Sequence, residues 1–183
     1  MKILKKINRG LILTVIVVIG VAVYLGCLGS AQAADREEII SICEDYIKAE
    51  TGYSMLPEKY RKENPEIPEQ ELDAYINEAK TELKKFYVDN ENTYKYLLER
   101  IESSLKSQAA GDDIILTYTK DIYKVDSVAF DGDKASVELI CNTVCKTSGG
   151  SVSTDDLTND SLMLQKIDGR WLLCYSNLYT TEY

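Results

Sequence analysis

Five cysteines, thirteen tyrosines and no histidine among 183 residues set the chemistry available to this chain. Without an imidazole, the Ser-His-Asp and Cys-His triads and the His-bearing zinc sites are excluded. Proton transfer then falls to carboxylates. Strand alternation places Glu138 opposite the face that carries Cys141, as the only acid in mid-strand on that side, and it is the single general acid/base candidate. The same alternation suits a surface residue on an open face. One carboxylate with no recognisable partner is a thin constellation, so the expectation leans away from an enzyme.

Four cysteines lie in the body of the chain, at Cys43, Cys141, Cys145 and Cys174. Cys141 and Cys145, four apart on a strand, share a face but are separated by ~13 Å, too far to bond each other. Their register with Ala135, Val137 and Leu139 points them into the core, where Cys43 or Cys174 could meet one of them. Two readings stay open, buried apolar thiols or at least one disulfide. No CxxC is present and no metal site is expected. The acids of Asp112-Asp113, Asp131-x-Asp133, Asp155-Asp156 and Asn159-Asp160 read as solvated turns, and 151–160 lacks the residue order of a calcium loop. No motif calls for a cofactor.

The tyrosines also admit two readings. Tyr75, Tyr94, Tyr118 and Tyr175, with Tyr87, Tyr123 and Tyr179, could line the mouth of a ligand pocket. Alternatively they build core and rim in a chain with only two Phe. Trp171, at the start of the last strand, reads as core before ligand platform.

These residues are carried by a chain of uneven charge. The first 33 residues hold Lys2, Lys5, Lys6 and Arg9 and no acid, which leaves 17 basic and 30 acidic groups, a charge of −13, on 34–183. Such a body repels phosphate backbones, and nucleic-acid binding is not expected. From Gly10 to Ala34 no residue is charged, and the apolar segment 11–28 gives ~27 Å of helix, close to the thickness of bilayer hydrocarbon. The preceding cations put residues 1–9 in the cytoplasm and the acidic body outside. The segment reads as an uncleaved anchor, as a signal cleaved after Ala31-Gln32-Ala33, or as a lipid-anchor signal ending at Leu25-Gly26-Cys27. All three export residues 34–183, which form one domain by length.

Within that domain Asp35 and Glu38 form a capping box for a helix over 35–50, stopped by Thr51-Gly52. The stretch 52–68 holds all three prolines and reads as an ordered loop or lid. A second helix begins at Pro68-Glu69 and stops near Asp89-Asn90, and a third ends near Gly111. The period then changes to 2, predicting strands over 114–118 and 122–130, 135–147, 161–167 and 171–179, with tight turns at Asp131-Gly132 and Asp168-Gly169. The expected fold is α+β, three helices on a four-stranded antiparallel meander.

The last hairpin, Leu162-Met163-Leu164-Gln165-Lys166-Ile167-Asp168-Gly169-Arg170-Trp171-Leu172-Leu173, together with Val125-x-Ser127-Val128-x-Phe130-x-Gly132-Asp133-x-Ala135-x-Val137, resembles the C-terminal half of nuclear transport factor two-like (cystatin-like) domains. The resemblance covers 113–179 and implies a curved sheet wrapping a helix into a cone. It also implies that enzymes on this fold use a cavity acid or an Asp/His pair, and this superfold hosts enzymes, binding modules and structural subunits alike. The expected function is a membrane-tethered or exported non-catalytic binding domain for a protein partner or small apolar ligand. The alternatives are a structural subunit, since the layout resembles the bitopic inner-membrane subunit of type IV secretion and conjugation systems, and a small-molecule enzyme using Glu138.

Overall fold

In a computed structural model the backbone is described for residues 9–150 and 152–177, and side chains for 31–90, 92–150 and 157–177. The chain divides into two units, Met1–Glu38 and Ile39–Tyr183. Among the described residues no helix is long and apolar enough to cross a membrane, and the apolar segment 11–28 lies outside the described side chains.

Helix α1, Arg9–Tyr53, runs through Asp35 without a break. The capping box expected at Asp35 and Glu38 is therefore not a helix start, because Ala31 to Ala34 continue the helix into it. From Ile39 onward α1 places Ile39, Cys43, Tyr46 and Ile47 in the core at helical spacing. The proline-bearing stretch that follows is ordered around a single 3₁₀ turn, Glu58–Tyr60, with Leu56 fully buried and its carbonyl accepting from Arg61 Nε at 2.6 Å. Helix α2, Glu69–Lys84, starts after the extended Pro68 and buries Leu72, Ile76, Ala79 and Leu83. Helix α3, Glu91–Ala109, is capped by Asn90, whose side chain accepts from the Asn92 N–H at 3.1 Å.

The sheet is an antiparallel meander in the order β1-β2-β3-β4, with β1 Ile115–Asp131, β2 Lys134–Thr147, β3 Val152–Ile167 and β4 Arg170–Asn177. The break expected in β1 near residue 120 is absent. Register shifts at Ile122/Lys124 and Val125/Ser127 take its place, and each such bulge bends the strand while keeping it paired. The first hairpin turns on Gly132-Asp133, one residue later than expected, with Gly132 at φ +62°. The second turns on Asp168-Gly169 as expected, both at positive φ, the backbone of a type I′ turn. β3 begins nine residues before its expected start, so the polar 152–160 stretch is strand rather than loop.

The link between α2 and α3 covers the outer edge of β4. Val88 N–H donates to Leu173 O at 2.9 Å and Leu173 N–H to Phe86 O at 2.8 Å, which satisfies backbone groups an edge strand would otherwise present for aggregation. The main core joins α1, α2 and α3 to the inward residues of all four strands, among them Val137, Leu139, Leu162, Leu164, Trp171 and Leu173.

Leu164 is fully buried whereas Met163, its neighbour on β3, is 43% exposed. Leu164→Ala is expected to lower unfolding stability by about 2–5 kcal/mol and Met163→Ala by under about 1 kcal/mol. Urea titration of the two variants checks the facing of β3.

Candidate functional site

The inward face of the sheet changes character along its length. Near the hairpins it is apolar, and toward the opposite end Tyr118 and Lys120 of β1, Thr143 of β2, and Thr158 and Asp160 of β3 are all buried. Lys120 Nζ lies 2.9 Å from Asp160 Oδ1 and 2.8 Å from Oδ2, with both side chains fully buried. β2 lies between their strands, with its Thr143 opposite Lys120 and its Leu139 opposite Asp160, and the Thr143 and Thr158 hydroxyls are 3.4 Å apart. The helices bring a second pair to the same region. Glu50 of α1 is fully buried and accepts from Arg100 Nη2 of α3 at 2.8 Å, while Arg100 is 31% exposed.

A triangle of hydroxyls adjoins the charges. Tyr46 OH and Tyr87 OH are 2.7 Å apart, and Ser176 Oγ of β4 lies 3.0 Å from the first and 2.5 Å from the second. Among the described residues, the buried atoms without a hydrogen-bond partner include Glu50 Oε2, Thr51 Oγ1 and Tyr118 OH in this region, with Asn142 Oδ1 and Thr147 Oγ1 on β2.

Burial pushes Glu50 above the usual carboxylate range, an effect the Arg100 and Lys120 charges offset in part and the Asp160 charge reinforces. Burial likewise holds the Tyr46, Tyr87 and Tyr118 phenols above their ordinary value. The Cys43 thiol is pushed up to about 12 by burial and by Glu44, and Cys141 to about 12 by burial and by Asp160. The interior therefore keeps every one of these phenols and thiols neutral at physiological pH. Each acid of the seam is already held by a cation, Glu50 by Arg100 and Asp160 by Lys120. No group of three or more Cys, Asp or Glu side chains converges as a metal would require among the described residues.

Two cavities flank this seam. The larger, about 560 Å³, lies between α1 and β1 and is lined by Ile47, Thr51, Met55, Tyr118 and Ile122, with Lys120 in its wall. The smaller, about 200 Å³, lies between α3 and β4 and includes Arg100, Tyr96, Tyr175 and Ser176.

Glu138 is in neither. It is exposed on the outer face of the sheet and accepts from Ser161 Oγ at 2.6 Å. The tyrosines do not converge. Tyr118 and Tyr175 line different cavities on opposite edge strands, and Tyr75 donates to Met55 O at 3.1 Å and packs its ring at a tilt against Tyr53. Tyr94 is buried against Tyr87, Tyr123 is exposed, and Trp171 is a core residue against Phe130. Tyr179 lies outside the described residues. Cys43, Cys141, Cys145 and Cys174 are all thiols, the first three buried.

Asp160 corrects the reading of its acid pair as a solvated turn, because Lys120 supplies the partner that lets a carboxylate sit in the core. Its signal was the period-2 run Thr158, Asp160, Leu162, Leu164, which extends β3 backwards. Glu50, Arg100 and Lys120 carry no comparable mark, since surface helices and strands are rich in such residues. Comparison with protein-family models, curated proteins and solved structures yields no match.

Lys120→Met strands the Asp160 carboxylate and is expected to cost about 3–5 kcal/mol, while Lys120→Met combined with Asp160→Leu recovers most of it. Denaturant unfolding of the singles and the double checks this cycle.

The raised phenols and thiols set an alkaline limit. The unfolded chain loses their protons above about pH 9, while the folded chain retains them to about pH 12 for the two thiols. The folded state then binds more protons than the unfolded state, so stability falls as pH rises through that window. Unfolding midpoints between pH 8 and 11 are expected to decline steadily. At pH 8 in a Cys27→Ser chain, a thiol reagent is expected to reach Cys174 first and the three buried cysteines only on unfolding.

Proposed function

We propose that this chain is a membrane-tethered or exported binding domain, non-catalytic, in which a cone-like sheet of the nuclear transport factor two-like kind holds a small ligand against its inner face. The observation that carries the reading is the cavity of about 560 Å³ between α1 and β1, within the ~300–1,000 Å³ typical of small-molecule sites. Its wall sets Ile47, Met55 and Ile122 beside the Thr51 and Tyr118 hydroxyls and the charged Glu44, Lys48, Lys120 and Asp121, so an apolar floor is ringed by polar groups that can orient an occupant. The ion-paired seam behind it forms a rigid back wall. The four-cation start and the apolar 11–28 segment support export of the domain, with retention at the membrane. The bulges of β1 support the curvature that a cone needs.

The full chain, expressed in a bacterial host, is expected in the membrane fraction, with its body digested by protease added to the outside of spheroplasts. A purely soluble cytoplasmic product would count against export. In detergent, a screen of apolar small molecules bearing one hydroxyl or carbonyl is expected to raise the melting temperature in proportion to the logarithm of concentration. Gly52 lines the cavity and a Cβ there meets nothing within 4 Å, so Gly52→Phe is expected to fill the space and abolish the shift. Shifts that persist in Gly52→Phe, or none at all, would remove the larger cavity as the binding site.

A further inference from the structure

We propose that the cavity between α1 and β1 takes a short extended peptide, which adds to the open edge of β1 as a fifth strand and alternates apolar with basic side chains. The proposal rests on the reading of this cavity as the binding site and names its occupant by chemistry.

The sheet side of the cavity carries the argument. Tyr118, Thr119, Lys120, Asp121 and Ile122 all line it. Side chains of a strand alternate between two faces, so a cavity set against one face meets only every second residue. Five in succession place this one at the edge of the strand, the direction in which an outer strand points its unpaired N–H and C=O groups. β1 is such an outer strand. It pairs with β2 on one side, and among the described residues no segment makes backbone pairs along the other. The opposite edge of the sheet differs, since Phe86 and Val88 cover β4 there.

The bulges of β1 leave one regular run on that edge. Register shifts fall at Ile115/Thr117, Ile122/Lys124 and Val125/Ser127, so 117–122 is the uninterrupted stretch between two irregularities. Bulges blunt an edge against pairing. The part of β1 still able to template a strand therefore coincides with the part that lines the cavity, and at ~3.3 Å per residue it accepts a segment of about five residues.

Side chains of an added strand turn alternately to the two faces of the sheet. Those turned inward meet Ile47 and Met55 of α1 and Ile122 of β1, which calls for apolar residues. Thr51 Oγ1 and Tyr118 OH, in the same wall, are buried with no hydrogen-bond partner, so the wall is polar-incomplete as it stands. Those turned outward lie beside Thr119 and Asp121, both exposed. The other charges of the wall are balanced: Glu44 and Lys48 are of opposite sign one helical turn apart, and Lys120 is matched by Asp160. Asp121 is the remaining charge, and a carboxylate in a cross-strand position favours lysine or arginine opposite it. The acidic body draws a basic segment in the same direction.

Isothermal titration of the full chain in detergent at pH 7, with a capped pentapeptide of alternating lysine and valine as the probe, tests the site. One peptide is expected to bind per chain, and the same peptide with glutamate for lysine at least about tenfold more weakly. N-methylation separates edge pairing from general attraction to an acidic protein. Only every second N–H of an added strand faces its neighbour, so methyl groups on one alternate set of peptide nitrogens are expected to abolish binding and on the other set to leave it within about twofold. Asp121→Lys, on the exposed face, is expected to weaken the lysine peptide about fivefold and to strengthen the glutamate peptide. Equal effects of the two methylated sets, equal binding of the two peptides, or indifference to Asp121→Lys would each overturn the proposal. No peptide binding, with apolar small molecules still raising the melting temperature in a way that Gly52→Phe abolishes, would overturn it and leave the cavity as a small-molecule site, whereas failure of both ligand classes would remove the cavity itself. A dimer in sedimentation that the peptide does not dissociate would put a second copy on this edge and overturn the proposal as well.

Discussion

Two opposite charges with no exposure to water, Lys120 and Asp160, impose the strictest condition on this fold. Each ion carries a desolvation penalty of several kcal/mol that its partner offsets only in good geometry. The partners stand on β1 and β3, with β2 between, so the pair forms only when two strand registers are correct at once. A slip of one residue in either would turn one charge to the outer face and leave the other buried alone. The bulges of β1 fit this constraint. Tyr118, Lys120 and Ile122 face inward on even positions, and past the shift at Ile122/Lys124 the inward phase passes to Val125 and then to Val128 and Phe130.

The helices meet the same constraint from the other side. Glu50 enters the region on α1 and is held by Arg100 of α3, so the seam joins sheet and helices by charge at the end where the apolar core gives out. Tyr46, Tyr87 and Ser176 extend it with hydroxyls. Tyr87 belongs to the link that covers the edge of β4, which ties protection of that edge to the buried network. The two cavities lie along the seam's margins, one beside Lys120 and the other beside Arg100. The chain thus combines a buried polar interior with open space beside both edge strands.

Much of the architecture was legible from periodicity and turn chemistry. Three helices, a four-stranded antiparallel meander and the Asp168-Gly169 turn follow from a 3.6 period, a 2.0 period and residues that tolerate positive φ. The inward facing of Cys141 and Cys145 followed from the register with Val137 and Leu139. Boundaries were read less well where polarity was taken for solvent. Thr158 and Asp160 continue the strand pattern of Leu162 and Leu164, yet hydrophilic residues in that pattern read as loop until a partner is known. Glu138 lies on the face opposite Cys141, as its alternation placed it, and of its two readings the exposed surface residue is the one the structure matches.

The local chain by itself determined which segments form helices and strands, which turns join them and which apolar residues face inward, because those depend on spacing and on backbone preference over a few residues. Only the tertiary structure decided that Glu50 and Arg100, and Lys120 and Asp160, drawn from two helices and two strands as much as 110 residues apart, form two ion pairs in which every side chain but that of Arg100 is buried. The reason is physical. A charged side chain is indistinguishable from a surface residue until its counter-ion is placed within about 3 Å, and that placement is a property of the packed registers rather than of any stretch of sequence.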